Sequence, residues 1–599
     1  MNKLVLSANY SNIKKEWRKM NKTKKWLSLV LSMVMLISLL VSCAGSSQEE
    51  TGADPSESAD SSETIEEATD ETPSDSTPEV DFSEHVEYTM WMPPENVEWI
   101  SDYAEHPGVQ YFTKKFNMTI KFEHPPKGSE AETFNVMIAT GELPDIIQTT
   151  HWQGSINELY RDGSIIDLAP YLDYMTNLQT LFEKDPLYRK NALNDDGQML
   201  RLPDFRTDDE APWGGLVFRK DILDTMTDGN IQFPSGNEVP TTIEDWEYML
   251  PLFKTYFENS GLPEYAPFIL PAMGYFGFSN ILNGFGSNIG YYLKDGKVAF
   301  GPLEDGYFNY LVKMREWYEA GYIYQDFASR TNDMFYMPNT ALTYGGAAGI
   351  WYGLESQLGN ALSMPEHGLE VEVWAMPDPI DTENGITSAP NYSINTAHNF
   401  YGGFAVSQNA ENVERLMAAF DFFYGEEGSM IRSAGLNAKQ VAELDDDSLY
   451  HQKGLEDGFY SLDADSNVVF NEVLYSDPDY NRNMNAFKPI RMPGIIKVDL
   501  ANPFHDESKD VHFKRWTTYS AKDYQLPAQL HRTEEEEAAY LDNQTAIDEY
   551  VNTMVVKFIM GAEELNEETW EAFKKQLESY GVYENIDIVQ ACYERFLAR

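Results

Sequence analysis

The sequence predicts an α/β protein with at least two lobes, and three observations carry that prediction. About 520 residues follow an acidic front segment, more than one hydrophobic core usually serves. The stretch from Val86 to Thr150 reads strand, helix, strand, the opening of an α/β lobe with a mainly parallel sheet. The same alternation returns near residues 213 and 400.

Each element has a local reason. Val86–Met92, VEYTMWM, is a strand by its β-branched and aromatic content. Residues 131–140 place Phe134, Met137 and Ile138 at helical spacing, and Gly141 stops that helix. LPDIIQTT then reads as a buried strand, and residues 213–226 as strand into helix. Thr241 with Glu244 forms a capping box for a helix running to about Phe257. FYGGFAVS (400–407) is a strand, and Val413, Leu416, Met417, Phe420 and Phe423 share one helical face before Gly425. From Asn543 onward the pattern is helical, with Val551, Met554, Val555 and Phe558 as one stripe. Glu534 to Glu537 reads as a solvated charge run.

The front end reads differently. Lys14, Lys15, Arg18, Lys19, Lys22, Lys24 and Lys25 precede an apolar run from Trp26 to Val41. At about 1.5 Å per residue that run falls short of a roughly 30 Å bilayer core. Basic, apolar, then small is the order of a secretory signal peptide, with a short anchor as the alternative. Either Met1 or Met20 serves as its start. Removing residues 1–42 takes away eight of the 44 Lys/Arg and one of the 97 Asp/Glu, leaving a formal charge of about −60. Binding nucleic acid through phosphate neutralisation is excluded for such a surface. Only Cys592 remains besides Cys43, so sites built on several cysteines are excluded too. Residues 44–80 carry twelve acids and no Lys or Arg, a composition expected to stay disordered and extended.

Catalytic signatures are missing. The sequence has no Gly-x-Ser-x-Gly elbow, no phosphate loop and no His-Glu-x-x-His, and its histidines lack metal-ligand spacing. Acidic neighbours such as Asp208-Asp209 read as solvated loops. Neither an enzyme nor a cofactor is expected. Aromatic residues are plentiful: 12 Trp, 36 Tyr and 32 Phe. Trp91, Trp152, Trp213, Trp351 and Trp374 lie where strands meet loops, the place where open α/β sheets bind ligands. Their rings could stack on sugar faces, so these five are candidate ligand contacts, with a core role the alternative for each. Trp246, Trp317, Trp516 and Trp570 sit inside helical patterns and read as core. Arg206, Arg219 and Arg491 are candidates for a local anion site, although Arg219 is expected to pair with a carboxylate within its own lobe.

Two resemblances sharpen this. Leu40-Val41-Ser42-Cys43 resembles the lipobox of bacterial lipoproteins, which implies cleavage before Cys43, acylation of its sulfur and anchorage at the extracellular face of the cell membrane. ATGELPDIIQTT (139–150), GQMLRLPDFRTDDEAPWGGLVFRKDIL (197–223) and FYGGFAVSQNAENVERLMAAFDFFYGEEG (400–428) resemble solute-binding proteins of ABC sugar importers. Residues 557–596 resemble the end of the lipoprotein-O oligosaccharide-binding group. The family implies a two-lobe periplasmic-binding-protein-like fold with a ligand cleft between the lobes. Mapped here, residues 1–42 are the signal, 43–82 the lipidated cysteine and tether, 83–212 plus 400–480 lobe one, and 213–399 plus 481–599 lobe two. The implied partners are a carbohydrate, di- or oligosaccharide in size, ABC permease transmembrane subunits and the membrane through the lipid, with the protein acting as a monomer. Glu258-Asn259-Ser260-Gly261 lacks the alternating carboxylates of the calcium loop found in relatives, so no metal is carried over. A surface glycan hydrolase, or a binder of peptides or other small molecules, is the alternative function.

Overall fold

The computed structural model describes residues 78–599 except 95–96, 153, 211, 213, 271–278, 330–336, 364–369, 390–402, 489 and 502–506. Cys43, the signal segment and Trp213 lie outside these. No helix among the described residues is long and apolar enough to cross a membrane.

Two four-stranded sheets define two lobes. In lobe one, β1 (Val86–Trp91) lies parallel to β2 (Met118–Glu123) and to β3 (Ile146–Gln148), and β11 (Phe404–Val406) closes the β3 side antiparallel, in the order β11-β3-β1-β2. Alternation along β1 sends Tyr88 and Met90 into the main core of the lobe, and Trp91 to the opposite face beneath helix Glu130–Thr140. That helix ends on Gly141 at φ 69, as its sequence requires.

Lobe two is built on β5 (Gly214–Arg219), β6 (Ala266–Phe268), β9 (Ala348–Leu354) and β10 (Val373–Ala375), ordered β10-β5-β9-β6. Only the β6–β9 pair is parallel. This sheet is therefore mixed, because β5 arrives from the interlobe crossing and runs opposite to both its neighbours. Leu216 and Phe218 face one core, while Val217 faces a second core with Trp351 and Trp516. The Trp516 ring lies over Gly215, where a Cβ would come within 2.5 Å of it, and its indole N–H donates to the Leu216 carbonyl at 2.8 Å. A hairpin of β7 (Tyr291–Lys294) and β8 (Lys297–Phe300), and helices Glu534–Met560, Glu567–Ser579 and Val582–Ala598, complete this lobe. A hairpin of β12 (Tyr460–Leu462) and β13 (Val468–Phe470) decorates lobe one.

Three expectations shift. The capping box of helix Ile243–Ser260 is Thr242 with Asp245, one residue later than Thr241 with Glu244, because the buried Asp245 carboxylate also collects the N–H groups of Ser235 and Thr241. The boundary drawn at 480 moves to about 496. Ala486, Phe487, Ile490, Met492 and Ile495 belong to the core of lobe one, and β14 (Gly494–Ile496) pairs parallel with β4 (Asp204–Arg206). The chain leaves lobe one after each of these two strands. Finally, Glu534–Glu537 is the first turn of helix Glu534–Met560. Thr533 and Glu536 form its capping box, and Glu536 also binds Arg595 at 2.6 Å, so the run is only partly solvated.

Candidate ligand cleft

A cavity of about 330 Å³ lies between the lobes at the carboxyl end of β3. One wall comes from lobe one: Thr149, Trp152, Gly154, Asn157 and Arg201. The other comes from the segment entering helix Glu534–Met560: Gln529, Leu530, His531, Arg532 and Glu537. Its size falls within the usual ligand range, at the low end. Cavities of about 880 Å³ on lobe two and 660 Å³ at the amino ends of β1 and β3 are larger. Each of those belongs to a single lobe, and neither lies beyond the carboxyl ends of the parallel strands β1 to β3 or β6 and β9, where α/β sheets bind ligands.

The lobe-one wall follows from how β3 ends. Thr149 extends the pairing of β3 with β11 by one residue, with both its N–H (2.9 Å) and its hydroxyl (3.0 Å) donating to the Gly403 carbonyl. Trp152 N–H then donates to Thr149 O at 3.1 Å, closing a tight turn. The indole N–H donates to Ser155 O at 2.9 Å, and the ring leans on Phe134 at 5.5 Å. Gly154 is required here, since a Cβ would sit 2.6 Å from the Trp152 ring and 2.6 Å from Glu158 Oε2. Trp152 is thus oriented by neighbours on one side and half-exposed on the other.

The opposite wall supplies polar groups. Arg201 Nη2 donates to Gln529 Oε1 at 3.1 Å across the lobes. Burial lowers the Arg201 guanidinium to about 10, which leaves it charged at neutral pH. Burial, aided by the charge of Arg599 and other nearby arginines, holds His531 at about 4. Its imidazole is therefore neutral at pH 7, with one donor and one acceptor nitrogen. Arg532 lies 3.6 Å over the Tyr540 ring and 3.6 Å from Glu537. An aromatic face, side-chain amides, a neutral imidazole and a guanidinium suit a ligand rich in hydroxyls. Among the described lining residues Glu537 is the one carboxylate, whereas glycoside hydrolysis uses two across a cleft.

The four described candidate tryptophans do not converge. Trp152 alone among those described lines the cavity. Trp91 and Trp351 are each 3% exposed and are corrected to core rings. Trp91 meets Phe134 edge-on at 5.1 Å, and Trp351 donates to Gln357 at 3.0 Å. Trp374 packs at the margin of the lobe-two core, with the Lys220 and Arg515 cations 4.8 and 4.4 Å from its ring centre and its N–H on Glu372. The three arginines are not brought together either. Arg219 pairs with Asp221 at 2.6 Å inside lobe two as expected, Arg206 with Glu210 at 2.8 Å, and Arg491 is exposed. Arg201, Gln529 and His531 escaped the sequence reading. Their one signal was a long irregular stretch between helical patterns, where function-bearing loops concentrate.

The architecture is that of the two-lobed solute-binding proteins. No family model matches the chain. Among curated proteins the chain is similar to Lipoprotein LipO of Bacillus subtilis (strain 168), 24% identical over 229 residues that cover 37% of this chain and 42% of that protein. The chain thus matches less than half the length of this relative. Among solved structures, the HMO-binding, ABC-transporter-associated solute-binding protein of Bifidobacterium longum infantis superposes with a TM-score of 0.64 at 18% identity, covering 85% of this chain and 99% of that one. The substrate-binding protein FusA of S. pneumoniae, solved in complex with kestose, gives 0.63 at 17% identity over 86% and 100%. These likenesses establish the fold and agree with the lipoprotein-O resemblance of the segments above.

Proposed function

We propose that this chain is the substrate-binding lipoprotein of an ABC importer, anchored through Cys43 outside the cell membrane. It captures a di- or oligosaccharide between its lobes and hands it, as a monomer and without catalysis, to a membrane permease. The observation that carries this reading is a hydroxyl-compatible cavity shared by two solute-binding lobes and holding one carboxylate among its described lining. Closure of two lobes on a ligand is the hinge motion such an arrangement supports.

A thermal-shift panel of neutral di- to tetrasaccharides, kestose included, against short peptides tests it. A binding sugar present at 100 times its Kd is expected to add about 2.7 kcal/mol to apparent stability. Peptides that raise the melt where sugars do not would overturn the ligand class, and sugar cleavage during incubation would establish the hydrolase instead.

Trp152, with Trp213 as its proposed counterpart on lobe two, is the proposed stacking platform. Trp152→Ala is expected to weaken binding by at least about 1 kcal/mol, several-fold in Kd, measured per folded molecule. Titration calorimetry on the variant checks this, and an unchanged Kd would place the sugar elsewhere.

A further inference from the structure

We infer that Asp195, Arg595 and Arg599 form an interlobe clamp that positions the far wall of the cavity, so that these residues govern ligand affinity without touching the ligand. The inference rests on the function proposed above and adds the residues that tune it.

The wall segment 525–533 has no regular secondary structure. Without a ladder or helix to fix it, its position depends on side-chain bonds. Two arginines supply them: Arg595 Nη2 donates to His531 O at 2.9 Å, and Arg599 Nη2 to Gln529 O at 3.4 Å. These carbonyls flank Leu530, and all three residues line the cavity.

Both arginines come from the end of helix Val582–Ala598, whose own packing is in lobe two. Both reach Asp195 of lobe one, which follows helix Pro186–Ala192. Its carboxylate accepts from Arg595 Nε at 2.8 Å and Arg599 Nε at 2.7 Å. Arg599 Nη1 also binds the Lys190 and Leu193 carbonyls at 2.7 and 2.8 Å, groups left over at that helix end. Lys190 Nζ returns a bond to Leu597 O at 2.9 Å. Arg595 is further held by Glu536 at 2.6 Å. The Arg599, Asp195 and Arg595 side chains are 10, 22 and 31% exposed, so this is a partly shielded network and not an isolated surface pair. One set of bonds therefore joins lobe to lobe and lobe to wall.

The test uses the mature chain with Asp195→Asn, Asp195→Glu and Arg599→Gln. Amide hydrogen exchange of residues 529–532 is followed without ligand, together with the melting temperature. Kd and the dissociation rate are then measured with the panel sugar that most stabilises the wild type. Asp195→Asn and Arg599→Gln are expected to speed exchange at 529–532 about tenfold and to raise Kd about tenfold, mostly through faster dissociation. Asp195→Glu, which keeps the carboxylate, is expected to restore most of both.

Unchanged exchange at 529–532 in Asp195→Asn and Arg599→Gln would overturn the clamp whether or not any sugar binds. Faster exchange with unchanged Kd would show a clamp that does not control the cavity, and would equally overturn the inference. If no panel sugar binds the wild type, the functional reading fails, and with it the control of affinity; the exchange arm then still decides the clamp itself.

Discussion

Arg432→Ala is expected to lose about 3–5 kcal/mol of stability at pH 7, because it strips the partner from a buried carboxylate. Arg432, 2% exposed in helix Glu426–Ala434, donates to Asp204 Oδ1 at 2.8 Å. Asp204 stands in β4, one of the two paired strands from which the chain crosses between lobes. Burial raises the Asp204 carboxyl above its ordinary value despite the opposing pull of Arg432 and then Arg206. A carboxyl raised in the folded state binds more protons there than in the unfolded chain, so its contribution to stability falls as pH rises through that window. Removing Arg432 extends the window upward. Part of the loss should therefore return on acidification from pH 7 to about 5, and Asp204→Asn added to the variant should recover stability at pH 7. Denaturant unfolding across pH checks both; a small, pH-independent loss would show that the pair is not stabilising the crossing.

Trp246→Ala is the second large effect, about 3–5 kcal/mol, arising from a cavity in place of an interaction. The ring is fully buried in lobe two, stacked on Trp317 at 5.6 Å and 7° and edge-on to Phe268 at 5.2 Å. It touches no part of the interlobe cavity, so affinity per folded molecule should hold while the unfolding midpoint falls. The contrast with Trp152→Ala separates a ring that holds a lobe together from one that serves the ligand.

The sequence made the repeating elements readable and left the site half hidden. The 131–150 unit appears as expected because its apolar spacing and its glycine stop act locally. All four tryptophans read as helical core are buried, from 0% to 4% exposed. Trp351 misled because it lies in the middle of β9 and not where that strand meets a loop, and Trp91 because a strand end looks the same in sequence whether its last ring faces a covering helix or open space. That choice is made by alternation against elements distant in the chain, here helix Glu130–Thr140 over Trp91. The lobe boundary at 496 was hidden for a related reason, since β14 is identified only through its pairing with β4. The far wall of the cavity has no periodicity at all, and side chains such as Arg595 and Arg599 place it from more than 60 residues away.

The interleaving of the lobes also sets a timetable for making the protein. Thr149 and Gly403, 254 residues apart, must meet before the sheet of lobe one is closed. At about 5–20 residues per second, synthesis of that interval takes on the order of 13–50 s. Lobe one also draws Ile490, Met492 and Ile495 into its core, so nearly the whole chain must exist before its first half can finish folding. The long-range closure makes early folding slow. Lobe two likewise draws Val551, Phe558 and Trp570 into its core, so both lobes wait on segments that are made late.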